Sequence, residues 1–160
     1  VTFGVAPAMI LYRFQAESGF LYYLPLLIAV FSGLRLAKFN IDTRQSENFI
    51  GLATPSCALI CGSLIYAAET YPQLSAYLTA NSYIIPMLSL ILCYLLVCEI
   101  PMFSFKFKTL KWADNKPRFI FLGIVALLAI TIAILGLNLS LIILTIFTAY
   151  ILVNYITQKL

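Results

Sequence analysis

The stretch FIFLGIVALLAITIAIL, residues Phe119–Leu135, decides the fold class of this chain. It runs for 17 residues without a charged side chain. A helix that crosses the hydrocarbon layer of a membrane, roughly 30 Å thick, needs about 20 mostly apolar residues, with a range near 17–25. The stretch therefore predicts a membrane-spanning helix.

Similar stretches recur along the rest of the chain. Four of them have no charged residue in their middle: Gly19–Ala37, Ile50–Ala68, Tyr83–Val97 and Leu139–Tyr155. Residues Phe3–Leu11 are also apolar but too few to span alone, so we interpret them as the second half of a helix. The sequence thus predicts an all-α, polytopic integral membrane helix bundle with five full spans plus the second half of a sixth, forming a single transmembrane domain over residues 1–160.

The composition excludes several classes of function. Apolar residues make up 62% of the 160 residues and charged residues only 10%, whereas soluble domains are near 45–50% apolar and about 25% charged. Histidine is absent, so the chain cannot build a Ser-His-Asp triad or a histidine-ligated metal site. The four cysteines lack CxxC spacing and lie in apolar stretches, where they are typical packing residues.

The distribution of basic residues predicts an orientation. The segment between Val97 and Phe119 holds five of the ten Lys and Arg residues, and such segments face the cytoplasm. Alternation then places the Arg35–Asn48 region and the tail with Lys159 inside, and leaves Arg13 as the one outer basic residue. We therefore expect a multi-pass protein of the inner (cytoplasmic) cell membrane. The net charge of +4 is interpreted as an orientation signal, so no nucleic-acid partner is expected.

Arg35 and Lys38 are the first candidates for a binding site. Charges close to membrane spans are costly and are often functional, and residues three apart share a helix face. A guanidinium binds phosphate through two hydrogen bonds, and an ammonium adds a point charge. The spacing alone also fits simple snorkelling of both side chains to the interface. In Phe49–Pro55, Gly51 permits close backbone approach and Pro55 suits the first turn of a helix.

Four segments give the chain a family resemblance. Residues 34–40, LRLAKFN, are similar to the "LRLARFN" element of the CDP-alcohol phosphatidyltransferases, and residues 49–55, FIGLATP, to their "F-x-G-L-P-x-P" element. Residues 1–8 resemble the segment after the last catalytic aspartate, and residues 100–106 resemble a further element of the family. In their residues and their order, the four segments resemble those of bacterial phosphatidylserine synthases most. Lys38 stands where the family has arginine, and Ala53 where it has proline.

The resemblance implies an enzyme of phospholipid biosynthesis. The hydroxyl of L-serine would attack CDP-diacylglycerol, giving phosphatidylserine and CMP at the cytoplasmic face, with Mg²⁺ or Mn²⁺ on the pyrophosphate. Arg35, Lys38 and Asn40 would bind the phosphate or the serine carboxylate. The aspartate signature of the family is absent from the sequence. We therefore expect a C-terminal fragment with no catalytic residue and no metal ligand of its own, inactive alone, with the aspartates just before Val1.

Two alternatives stay open from the sequence. One is a sister transferase that uses another alcohol, because the acceptor is chosen by a few pocket contacts. The other is a transporter fragment or a non-enzymatic membrane protein, although the chain shows neither an internal repeat nor a charge in the middle of a span. A homodimer is possible, since small residues recur every four positions and allow close helix packing.

Overall fold

The computed structural model describes residues 2–15, 19–41, 49–102, 116–136 and 138–157. Most of these residues are helical, which confirms the predicted all-α class. Several predicted charges lie outside the described residues: Asp42, Arg44, Glu47, Lys106, Lys108, Lys111, Asp114 and Lys159.

Seven helices and one short ribbon of two strands make up this described part of the chain. The helices are α1 (Thr2–Phe14), α2 (Leu27–Ile41), α3 (Thr54–Thr70), α4 (Pro72–Ala80), α5 (Ile84–Val97), α6 (Lys116–Ile134) and α7 (Leu139–Thr157). A 3-10 helix, Gly19–Leu26, leads directly into α2. The strands are β1 (Phe49–Ile50) and β2 (Pro101–Met102), which pair in antiparallel fashion.

Local sequence explains where two of these helices begin. Pro55 lies in the first turn of α3, where its missing N–H costs no helical hydrogen bond, and extended Ala53 precedes the helix. Gly136, with φ +64°, ends the turn after α6 in the left-handed region that glycine adopts readily. The side chain of Asn138 then accepts a hydrogen bond from the Ser140 N–H (3.2 Å) and caps α7. Both boundaries agree with the sequence prediction.

Among the described residues, fewer helices meet the criteria for a membrane span than the sequence predicts. Within the described residues, one continuous helical segment, Gly19–Ile41, has the length and apolarity of a spanning helix. Helices α4 and α5 meet the same criteria when they are taken together, but a bend of 87° separates their axes. The apolar segments Arg118–Ile134 and Ser140–Asn154 are shorter. The five-span bundle therefore stays a prediction.

Helix α3 lies at the centre of the packing. It contacts α1 on one side and α7 on another, while α2 packs on α5 and α6 packs on α7. The buried cluster contains Leu11, Ile28, Leu52, Leu92 and Leu96 together with the cysteines Cys57, Cys61 and Cys93. All four cysteines are buried and free, as the sequence predicts for packing residues.

Two tertiary contacts define opposite ends of the molecule. The ribbon of β1 and β2 lies next to the start of α3 and the end of α5, and we call this the ribbon end. Beyond the other end of α3, the Tyr71 hydroxyl accepts a hydrogen bond from the Asn138 N–H (3.0 Å). This contact joins the α3–α4 junction to the α6–α7 turn, and we call it the hairpin end. The ends of α2 and α5 thus lie together, as the charge distribution predicts.

Candidate anion site

The ribbon joins two segments that are fifty residues apart in the sequence. Phe49 pairs with Met102 and Ile50 pairs with Pro101. The chain then turns toward α5, where the Gly51 N–H donates to the Ile100 carbonyl (2.9 Å) and the Leu52 N–H donates to the Leu95 carbonyl (2.8 Å). The backbone before α3 is therefore fixed against the C-terminal end of α5.

Gly51 is required at the tightest point of this junction. Its φ is +74°, and an added Cβ would lie 2.9 Å from the Cys98 carbonyl oxygen and 3.0 Å from that of Leu96. Neither backbone oxygen can move without displacing the end of α5. The glycine therefore allows both the left-handed turn and the close approach of the two backbones.

Arg35 reaches this junction from α2. A terminal guanidinium nitrogen donates to the Gly51 carbonyl across a long 3.5 Å, which is a weak hydrogen bond. The Nε–H is buried and has no hydrogen-bond partner among the described residues. Since a guanidinium carries five N–H groups, this half-buried side chain retains unused donors at the ribbon end. Such donors suit a ligand with several anionic oxygens.

Lys38 lies one turn further along α2, and more of its hydrogen-bond donors have partners. Its ammonium donates to the Val97 carbonyl (3.2 Å) and forms an ion pair with Glu99 (Nζ to Oε1, 3.3 Å). The Lys38 side chain is 33% exposed and that of Glu99 is 69% exposed. Lys38 thereby ties α2 to the C-terminal end of α5, where the helix dipole favours a cation. The third N–H of the ammonium remains for a ligand.

Asn40, the third predicted site residue, lies in the last turn of α2 and is exposed. The structure thus brings Arg35 and Lys38 to the same junction, whereas Asn40, two residues beyond Lys38, projects from a different face of α2.

A cavity of about 280 Å³ adjoins this junction on the other side of α2. Residues from the first, second and third helices line it: Phe3, Gly4, Val5, Ala29, Ser32, Gly33, Leu36 and Thr54. The Ser32 hydroxyl is buried there and has no hydrogen-bond partner among the described residues. An unpaired buried hydroxyl is costly, so a polar ligand group in this cavity would relieve that cost.

The cavity wall depends on a close contact between α1 and α2. A Cβ added at Gly4 would lie 2.7 Å from the Cβ of Ser32 and 3.7 Å from the Ala29 backbone. Only a residue without a side chain lets α1 lie this near to α2. Segments 1–8, 34–40 and 49–55, which carry the resemblance, therefore contribute residues around one place in the fold.

Two polar residues near Arg35 are absent from the sequence prediction. Tyr150 and Asn154 lie one turn apart on α7, and both are buried. The Asn154 side-chain amide donates to the Tyr150 carbonyl (2.8 Å), and the Tyr150 side chain lies within electrostatic range of Arg35. The ring of Phe121 meets Tyr150 edge-on, with centroids 5.7 Å apart. A buried amide in an apolar helix is a recognisable signal of a polar contact, and Asn154 carries that signal.

The described residues do not fit a divalent cation on their own. No three side chains of Asp, Glu, Cys or His lie together in this part of the chain as ligands of a metal ion. Glu99 is the acidic residue at the junction, and its carboxylate is engaged by Lys38. The junction is therefore a candidate anion site, built from two cationic side chains beside Gly51 and an adjoining, mainly apolar cavity that contains the unpaired Ser32 hydroxyl.

Comparison with known proteins gives one relative. The chain is 36% identical over 77 residues to archaetidylserine synthase from Methanothermobacter thermautotrophicus, and this alignment covers 48% of the chain and 33% of the relative. The chain thus spans about a third of the length of the curated relative that it matches. No family model matches the chain.

Proposed function

We propose that this chain is part of a CDP-alcohol phosphatidyltransferase, a membrane enzyme of phospholipid biosynthesis that transfers a lipid-phosphate group from a CDP-activated lipid to serine. The observation that carries the proposal is the convergence of the resembling segments on one junction. Arg35 of the LRLAKFN segment donates to Gly51 of the FIGLATP segment, and Gly51 in turn bonds to Ile100 at the start of the fourth segment.

The similarity to archaetidylserine synthase supports the same class of reaction. That relative is named for the serine-containing lipid that it makes, and it shares 36% identity over about half of this chain. The four short segments and the alignment of 77 residues both support the proposal that serine is the acceptor. The bacterial type of donor, CDP-diacylglycerol, rests on the segments alone.

In the proposed reaction, the serine oxygen forms an ester bond to the β-phosphorus of the CDP-lipid, the bond from that phosphorus to the CMP oxygen breaks, and CMP leaves. The hydroxyl proton passes to an aspartate of the signature that the family resemblance implies. Arg35 binds the phosphate oxygens through its unused N–H groups, and the partial burial of the guanidinium strengthens that attraction. Lys38 adds positive charge, with its exposed partner Glu99 as the group that an incoming anion displaces. Asn40 contributes a hydrogen bond at the edge of the site.

The family resemblance implies a divalent cation that offsets charge on the pyrophosphate. Since the described residues do not fit its ligands, we assign no step of the reaction to a cation held by this chain. The role of the chain is to bind and orient the anionic groups.

The membrane placement belongs to the same proposal. We place the ribbon end at the cytoplasmic face and the hairpin end at the outer face, with α2, α3, α5, α6 and α7 as spans. The supporting features are the apolar segment Gly19–Ile41 and the basic residues Arg35 and Lys38 at the ribbon end. This places the lipid tails in the bilayer while Arg35 meets the phosphate at its surface.

A panel of acceptors tests the proposal. The full-length protein in vesicles, supplied with Mg²⁺ and either CDP-diacylglycerol or the archaetidyl equivalent, is assayed for CMP release with L-serine, glycerol 3-phosphate, inositol phosphate and choline in turn. We expect release with serine above that with each other alcohol. Release with a different alcohol contradicts the acceptor, and no release with any alcohol contradicts the transferase.

A further inference from the structure

The middle of α3, between Ala58 and Tyr66, and the first turns of α7 form a second cavity, which takes no part in the anion site. Its volume is about 260 Å³, larger than the roughly 150 Å³ apolar cavity that holds a benzene molecule in an engineered protein. The residues that form it are Ala58, Leu59, Gly62, Tyr66, Ser140 and Ile143, together with Ser63. We call it the α3–α7 groove.

The lining of the groove selects an apolar occupant. Its floor is formed by Ala58 and Gly62, which are one turn apart on α3, and a Cβ at Gly62 would meet nothing within 4 Å. Small residues on one helix thus leave an open furrow, and Leu59 and Ile143 form its apolar walls. Water finds few hydrogen-bond partners in such a space, and apolar cavities therefore stay empty of water.

Two serines line the groove and differ in their hydrogen bonding, since the Ser63 hydroxyl donates to the Ile60 carbonyl (3.1 Å). Ser140 is 2% exposed, and its hydroxyl has no hydrogen-bond partner among the described residues. It lines the groove at the start of α7, near the hairpin end, whereas Ile143 lies almost one turn deeper. A buried hydroxyl without a partner is costly, so the occupant of the groove is expected to bring an acceptor oxygen to the hairpin end.

The length of the groove points to a single leaflet. Ala58 and Tyr66 are eight residues apart on α3, which corresponds to about 12 Å along the helix axis. The hydrocarbon of one leaflet is half of the roughly 30 Å layer. The groove is therefore about as long as one leaflet is thick, and in the proposed membrane placement its exposed Tyr66 end faces the outer leaflet.

We propose that the α3–α7 groove binds one hydrocarbon tail of an outer-leaflet lipid, whose linkage oxygen accepts a hydrogen bond from the Ser140 hydroxyl. This inference rests on the membrane placement in the proposed function but not on the transferase reaction. The groove shares no residue with the junction of Gly51 and Arg35 or with the cavity beside it, so the lipid is a structural partner and not the donor substrate.

The test fills the groove and counts bound lipid. The full chain is purified in detergent, stripped of lipid and titrated with palmitoyl-oleoyl phosphatidylcholine, with native mass spectrometry as the readout. Gly62→Leu places a side chain in the furrow without a backbone clash. Gly123→Leu on α6 is the matched control, because its Cβ also meets nothing within 4 Å and it lies away from the groove.

We expect one tightly held lipid on the wild-type chain and on Gly123→Leu. Gly62→Leu is expected to bind the lipid at least about tenfold more weakly, since each displaced methylene lowers the affinity about fourfold. Ser140→Ala is expected to weaken binding about fivefold, which corresponds to one neutral hydrogen bond.

Equal lipid binding by Gly62→Leu and the wild-type chain overturns the proposal. So does a change of oligomeric state in Gly62→Leu with unchanged lipid binding, because a second copy of the chain then covers the groove. Flotation with vesicles separately tests membrane placement. A transferase assay without CMP release leaves the lipid result intact, so the two failures are distinguishable.

Discussion

Gly51 is the residue on which the anion site depends most. Its carbonyl receives Arg35, its N–H is bonded to Ile100, and its Cα lies against the end of α5. A side chain at this position has to push the start of α3 away from α5. That movement would carry the Gly51 carbonyl away from the guanidinium, so stability and the site are linked at one atom.

We predict that Gly51→Ala destabilises the chain more than Gly136→Ala. Both glycines have positive φ, +74° and +64°, and a left-handed alanine costs roughly 1–2 kcal/mol. Only at Gly51 does the added Cβ also meet backbone oxygens, at 2.9 Å and 3.0 Å. The melting temperature in detergent measures the difference. Equal shifts for the two variants would mean that the contact with α5 carries no strain.

Arg35 and Lys38 show how far sequence reasoning extends at this scale. Their spacing predicts a shared helix face, and the structure places both beside the end of α5. The partners Gly51, Val97 and Glu99 come from distant parts of the sequence. Helical periodicity carries no information on such contacts, and the roles of Arg35, Lys38 and Asn40 in binding remain predictions.

The contact between α1 and α2 is the clearest packing constraint between elements. Gly4 lies against Ser32 so closely that an added Cβ would approach to 2.7 Å. Gly123 on α6 is also helical, but its Cβ position is open. Substitutions at Gly4 and Gly123 therefore distinguish the effect of helix–helix packing on stability from the effect of intrinsic helix propensity.

We expect opposite signs for alanine at these two positions. Gly123→Ala should stabilise the chain by about 0.5–1 kcal/mol through reduced backbone freedom. Gly4→Ala should destabilise it by about 1–3 kcal/mol, the usual cost of an overpacked contact. Thermal unfolding of both variants in the same detergent measures the signs. A stabilising Gly4→Ala would show that α1 and α2 are not in contact at this point.

Two elements escaped prediction from the sequence for a physical reason. The ribbon strands are two residues long, too short to show any alternation of polar and apolar residues. Helix α4 lies between the predicted spans Ile50–Ala68 and Tyr83–Val97, and its nine residues show no single apolar face that would predict a helix. The long apolar stretches, in contrast, form helices near the predicted boundaries, since their composition suffices for a helix in an apolar environment.

The two ends of the molecule follow from contacts between distant elements. The ribbon joins the start of α3 to the end of α5, Lys38 joins α2 to the same end of α5, and the Tyr71–Asn138 hydrogen bond joins the α3–α4 junction to the α6–α7 turn. This grouping agrees with the alternation inferred from Lys and Arg residues. It does not depend on the charge rule, so labelling experiments on both ends test the proposed topology.

We predict that Gln73→Cys reacts with a membrane-impermeant maleimide in intact cells, whereas Asn40→Cys reacts only after permeabilisation. Both positions are exposed, Gln73 at the hairpin end and Asn40 at the ribbon end. The four native cysteines are buried and give the background. Reaction of Asn40→Cys in intact cells would reverse the orientation, and reaction of both variants would contradict the proposal that the two ends lie on opposite faces.

The central claim is that the ribbon end assembles an anion site, formed by cationic side chains, for the phosphate groups of a CDP-activated lipid. The measurement that tests it most directly is CMP release by the full-length protein in vesicles with L-serine, compared between Arg35→Ala and Arg13→Ala. Arg13 is an exposed arginine near the opposite end of α1, so it controls for the loss of one positive charge. We expect Arg35→Ala to lose about 10- to 100-fold in rate, as for charge-assisted hydrogen bonds, and Arg13→Ala to retain the wild-type rate. A wild-type rate in folded, membrane-inserted Arg35→Ala would contradict the account.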